Sequence, residues 1–126
     1  MSLAKKMLIK QNYRGVVLNA PDGFSLSATE LPDAVQVTHE LSGAFDFALV
    51  FAKDQAQLRD WFPKVLPHLQ ADAKLWVAYP KKSSKLKSDI SRDEGWEIAK
   101  EAGYQGVSLI SIDETWSAFR LRKAVD

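Results

Sequence analysis

The chain has 126 residues, 17 Lys and Arg against 16 Asp and Glu, no Cys, and 46% hydrophobic residues. A chain of this length forms one domain, taken as the whole of 1–126, and its near-neutral charge excludes the global basic excess of a phosphate-tracking nucleic-acid binder. The absence of Cys excludes disulfides, thiolate nucleophiles and zinc-thiolate sites, and no apolar run approaches the roughly 18 residues of a membrane-spanning helix.

Leu3 to Lys10 reads as a short N-terminal helix (1–10) with Leu3, Met7 and Leu8 on one face. The start has neither a long apolar core nor a cleavage site, so the expected address is cytoplasmic, with no membrane partner. Val16-Val17-Leu18 is a continuous apolar run too short for a helix, the pattern of a strand buried on both faces. Asn19-Ala20-Pro21-Asp22-Gly23 ends it in a turn, because Pro lacks an N–H and Asp-Gly favours chain reversal. Phe24 to Leu31 is ambiguous, with a short helix stopped by Pro32 as one reading.

Val35 to Leu41 alternates as a half-buried strand, which by strict period two puts His39 on the buried face as a satisfied or partly buried side chain. Phe45 to Phe51 is the strongest strand pattern and belongs at the centre of a sheet. Asp54 with Gln57 forms a capping box, followed by Leu58, Trp61, Phe62, Val65, Leu66 and Leu69 at helical spacing. Pro63 and Pro67 predict a kink or restart there, with His68 on the surface. Leu75 to Tyr79 is another apolar strand, stopped by Pro80, and residues 81–90 form a polar, basic loop. Ser91 with Glu94 makes a second capping box for a helix that turns Trp96, Ala99 and Ala102 inward, and Gly103 ends it. Val107 to Ile112 and Trp116 to Leu121 are the last two strands, able to pair antiparallel.

Strands and helices that alternate in this way predict an α/β domain of three layers, with a mixed, mostly parallel six-stranded sheet and right-handed crossovers. The terminal hairpin is expected to be antiparallel. If the Val35–Leu41 strand lies at an edge, it has few guards. Pairing with a two-fold mate would give a homodimer; cover from Phe24–Leu31 or the N-terminal helix would leave a monomer.

Trp76 to Ser84 and Asp113 to Ser117, with Leu18 to Phe24 near the start, resemble a family of small bacterial proteins known only as a domain of unknown function, over about Leu3 to Lys123. The layout also resembles a shortened class I methyltransferase with one strand and its helix missing, since only Leu41 to Ala44 separates the second strand from the third. That resemblance implies a Rossmann-like sheet in the order 2-1-3-4-6-5, with the Val35–Leu41 strand at its edge, and, in the parent fold, S-adenosylmethionine (SAM) bound on a glycine series after the first strand. Here that turn holds one Gly and a Pro, and Glu40 alone stands where a ribose-binding acid would fall in dinucleotide folds. Methyl transfer is therefore not carried over, and no cofactor is expected.

Several turns meet at one place. Asn19-Ala20-Pro21, Lys53-Asp54, Tyr79 to Ser84 and Asp113 to Trp116 each follow a strand expected to be parallel to the others, so all four reach the carboxyl edge, where open α/β sheets bind ligands. The basic loop carries Lys81, Lys82, Lys85 and Lys87, with Arg92 beyond, against Asp89. Such a charge run is ordinarily a solvated loop; the functional reading is anion capture by Lys heads, Ser83 and Ser84 hydroxyls and free backbone N–H groups. Asp113 and Glu114 are adjacent on an extended chain and face opposite ways, so they form no acid/base pair; one of them is expected to neutralise a loop Lys while Trp116 packs. His39 and His68 sit in no nucleophile or metal motif. Trp61 and Trp96 read as core.

The candidate ligand-binding residues are Asn19, Lys53, Lys81, Lys82, Ser83, Ser84, Asp113, Glu114 and Trp116, with no catalytic or metal-ligating set. The leading reading is a non-catalytic, methyltransferase-like domain that binds a small anionic ligand or a protein partner at the carboxyl edge. Nucleic acid is disfavoured by the balanced charge. The alternative is an enzyme acting on a phosphorylated or nucleotide-like substrate through Lys81, Lys82 and Asp113.

Overall fold

A computed structural model describes residues 3–24, 31–84 and 86–123 of the chain. The apolar runs become the strands of one sheet: β1 (Arg14–Leu18), β2 (Gln36–Thr38), β3 (Phe45–Phe51), β4 (Leu69–Pro80), β5 (Tyr104–Ser111) and β6 (Trp116–Lys123). Their order is β2-β1-β3-β4-β6-β5, as the resemblance to a methyltransferase layout implies. The first four are mutually parallel, and β6 runs antiparallel to both β4 and β5. β5 consequently points the same way as β1–β4. Central β3 is buried at every residue but Asp46, as expected of a parallel strand covered on both faces.

Helices α2 (Gln55–Val65) and α3 (Glu97–Glu101) cover one face. Leu58, Phe62 and Val65 of α2 and Ala99 of α3 join Val16, Val50, Leu75 and Val77 in one apolar cluster. The other face is thinner. There α1 (Leu3–Lys6) and the residues after it set Ala4, Met7 and Ile9 against Phe47, Leu49, Trp76 and Ala78. The Trp76 indole N–H satisfies itself on the Met7 carbonyl (3.1 Å), as a buried indole must.

Asp54 caps α2, its carboxylate accepting from the Gln57 N–H (2.9 Å). The reciprocal arm of the capping box lands one residue early: Gln57 Oε1 accepts from the Lys53 N–H (2.8 Å). Pro63 sits inside α2, and a 3-10 turn at Leu66–His68 restarts the chain after it, Pro67 included.

Several expectations are corrected. The 1–10 helix is a single turn, Leu3–Lys6, because Leu8 adopts a left-handed φ of 63° and is exposed. β2 has only three residues, and His39 lies beyond it, exposed, with Nδ1 3.2 Å from the Val17 carbonyl oxygen. An edge strand that short is itself a guard against pairing. The Phe24–Leu31 segment falls largely outside the described residues. Ser91 and Glu94 cap no helix: Gly95 takes φ 98°, which ends any helical path, and α3 starts only at Glu97. Trp96 is buried as expected, whereas Trp61 is half-buried, its ring covered by Lys64 Nζ at 5.1 Å.

Candidate functional site

β1, β3, β4 and β5 end at the same edge, so the four turns singled out above do lie along one rim. They form separate clusters. At the β1/β3 end, Asn19 Nδ2 donates to the Phe51 carbonyl (2.8 Å) and to Gln57 Oε1 (3.0 Å). Lys53 is tied into the same cluster by its backbone N–H, and its side chain is exposed.

The β4 end is built differently. Pro80 closes the ladder opposite Trp116, and the Lys81 N–H reaches the Thr115 carbonyl (2.8 Å). Ser84 then turns the chain back, its N–H (3.0 Å) and hydroxyl (2.7 Å) both donating to the Lys81 carbonyl. Lys81 Nζ donates to Ser111 Oγ (2.6 Å) at the end of β5. The carboxylate of Asp113 is spent on its own turn, with Oδ1 accepting from the N–H groups of Thr115 and Trp116 (2.8 Å each). Among the described residues, neither Asp113 nor Glu114 pairs with a loop Lys. Trp116 is buried and meets Phe51 edge-on at 5.1 Å.

Asp89, the one acid within the basic loop, is also committed elsewhere. Its Oδ1 accepts from the Gln55 N–H (2.8 Å) at the first turn of α2, and its carbonyl accepts from Gln55 Nε2 (2.9 Å). Two bonds to α2 anchor the loop, and Lys81 and Lys82 have no carboxylate partner among the described residues.

Near this anchor lies an open cleft of about 460 Å³ lined by Tyr79, Lys81, Lys82, Ser83, Ser91, Arg92, Asp93 and Ser117. Of the predicted residues, Lys81, Lys82 and Ser83 meet in this cleft. Ser84 lines a neighbouring hollow of about 390 Å³ with Lys87. Asn19, Lys53, Asp113, Glu114 and Trp116 line neither. The sequence reading missed Ser117, which the β4–β6 register sets opposite Tyr79, and assigned Ser91 to a helix cap. Arg92 pairs with Asp93 at 3.7 Å, but the two side chains are 71% and 84% exposed, so the pair neutralises little. Burial pushes the Tyr79 hydroxyl above its ordinary pKa, with Arg92 pulling it down and Asp93 up. The cleft therefore offers a neutral hydroxyl donor, serine hydroxyls and three cationic heads.

A six-stranded sheet of this order, parallel except for one inserted antiparallel strand, is the fold of the class I SAM-dependent methyltransferases with a strand removed. Among solved structures the chain is similar to the ribosomal protein L11 methylase from Lactobacillus delbrueckii subsp. bulgaricus (12% identity, TM-score 0.60, 95% of this chain and 74% of that one). It is similar also to DhpI in its SAH complex (12% identity, TM-score 0.56, 87% and 77%) and to LepI in complex with SAM (10% identity, TM-score 0.54, 88% of this chain). The chain spans only 36% of LepI. No family model matches the chain, and neither does any curated protein.

The fold implies SAM, so its site bears testing against these residues. The turn after β1 offers Asn19 at φ 57°, then Ala20 and Pro21, with a first glycine only at Gly23. Asn19 and Gln57 close the crevice between the ends of β1 and β3 by bonding each other and the backbone. Side chains thus fill the place where a glycine cradle would let backbone approach a cofactor, and Pro21 has no N–H to offer. The residues do not fit SAM.

Proposed function

We propose that this chain is a methyltransferase-like domain that has shifted ligand binding from the β1 turn to the β4 end of its sheet. There it holds a small phosphate-like anion without catalysing methyl transfer. The observation that carries this reading is the cleft's charge balance. Lys81, Lys82 and Arg92 line one concave surface with a single carboxylate, Asp93, while Asp89 of the loop and Asp113 of the β5–β6 turn are held by backbone N–H groups. The serine hydroxyls and the Tyr79 hydroxyl add donors suited to anionic oxygen. No His lines the cleft, and its carboxylate, Asp93, is exposed beside Arg92, which supports binding without chemistry. The enzymatic alternative would have to use Asp113 with its Oδ1 already held by the Thr115 and Trp116 N–H groups.

Calorimetry with inorganic phosphate and pyrophosphate at low salt tests this. Saturable binding is expected, with Lys82→Ala weakening it about tenfold, the size of one charge-assisted contact. Raised ionic strength should weaken it further. Absence of saturable heat for both anions would overturn the reading.

A further inference from the structure

The anion cleft does not end at Arg92. A second hollow of about 230 Å³ adjoins it, with Arg92 and Asp93 lining both. Its character is different: Trp96, Ala99, Tyr104, Phe119 and Leu121 form half of its wall, with Lys100, Gln105 and Gly106 completing it. The two are joined by a row of rings. Tyr79, in the anion cleft, meets Trp96 edge-on (5.7 Å, 79°), and Trp96 meets Phe119 edge-on (5.1 Å, 63°) in the second hollow. Trp96 is only 5% exposed and the Phe119 ring also covers Gly106, so it is the parts of these rings that line the hollow that would meet a ligand ring. An apolar cavity of about 150 Å³ is enough to hold benzene, so the second hollow has room for one planar ring system.

We propose that the ligand is a phosphate ester of a planar ring, an aryl phosphate or a nucleoside monophosphate. Its phosphate sits on Lys81 and Lys82, its ring sits against Trp96 and Phe119, and Arg92 lies between the two. The proposal rests on the anion-binding reading above and adds the class of group esterified to that anion. An ion alone would leave the second hollow unused. A purely apolar ligand would leave uncompensated cations beside it. A ring bearing a phosphate meets both surfaces at once.

Phenyl phosphate and methyl phosphate carry the same charged group and differ in the ring, so calorimetry with the two separates the surfaces. Phenyl phosphate should bind about tenfold more tightly than methyl phosphate, the effect of seating one ring on an apolar wall. Adenosine monophosphate should also exceed methyl phosphate. Phe119→Leu should reduce the phenyl-to-methyl ratio to below about threefold, since a leucine keeps bulk but loses the ring face. Tyr104→Leu, on the opposite wall, should reduce it too. Saturation-transfer NMR on the wild-type chain, which needs no variant to fold, should show the phenyl protons of the ligand in contact with the protein. Equal binding of phenyl and methyl phosphate, or no transfer to the ring protons, would overturn this inference and leave anion binding standing. Binding of neither ester would overturn both.

Discussion

At the scale of single residues, the sheet is held as much by what is missing as by what is present. Gly15, on β1, pairs with Phe47 on β3, and the Phe47 ring lies over it: a Cβ at Gly15 would come within 2.0 Å of Phe47 Cζ. Phe47 is fully buried and leans on Tyr13 at 6.5 Å, so the ring has nowhere to retreat. Gly15→Ala should therefore cost about 1–3 kcal/mol, as overpacking of a well-filled core does. Urea unfolding should register this as a lower midpoint at unchanged slope. Sequence alone could not show the constraint: a glycine at the start of an apolar run reads as a turn, and the ring that covers it lies 32 residues further on, on a different strand. The place of Lys81 and Lys82 at the end of β4, by contrast, was legible, because Pro80 fixes where β4 must stop and charge follows at once; both line the cleft there. Ser117 was not, since its place beside Tyr79 depends on the β4–β6 register rather than on any local pattern.

At the scale of elements, Asp89 links the basic loop to α2. Its carboxylate occupies a donor that every helix leaves open in its first turn, and Asp54 satisfies another through Gln57. The two acids together complement the positive end of α2. Asp89→Ala should lower stability by about 1 kcal/mol, the usual loss when a helix-terminal N–H loses its acceptor. Asp89→Asn, which keeps an acceptor oxygen at the same position, should lose less than half as much. Thermal and urea unfolding of the two variants distinguish a hydrogen-bond role from a charge role. The element boundaries show where pattern reading runs out. β3 and β1 were clear because continuous apolar runs suit strands buried on both faces. The early part of β4 was not, because Gln70 to Lys74 is polar, and the ladder there is irregular, jumping from Leu69 opposite Phe45 to Lys74 opposite Phe47. The Ser91–Glu94 spacing matched a capping box, yet Gly95 with its left-handed φ sends the chain elsewhere before a helix can begin.

At the scale of the whole molecule, the sheet order and the cofactor crevice separate as properties. Hydrophobic patterning marks the strands, and the sheet they form is similar, at 12% identity, to that of a ribosomal protein L11 methylase. A cofactor crevice demands more, namely backbone free to approach the ligand and donors left open to meet it. In this chain, Asn19 donates across to Phe51 and Gln57, and Gln57 in turn accepts from Lys53, so the groups at the ends of β1 and β3 already have partners. A molecule entering there would have to break these bonds and work around Pro21. Loss of three hydrogen bonds at about 1 kcal/mol each weakens affinity by roughly two orders of magnitude, before any steric conflict. Calorimetry with SAM and SAH should accordingly give no micromolar binding under the conditions used to test phenyl phosphate. Asn19→Gly should not restore it, because the side chain is only part of the obstruction and Pro21 remains. Micromolar affinity for SAM in the wild-type chain would mean that the Asn19–Gln57 bridge opens at little cost, and the division between a retained sheet and a lost crevice would fail.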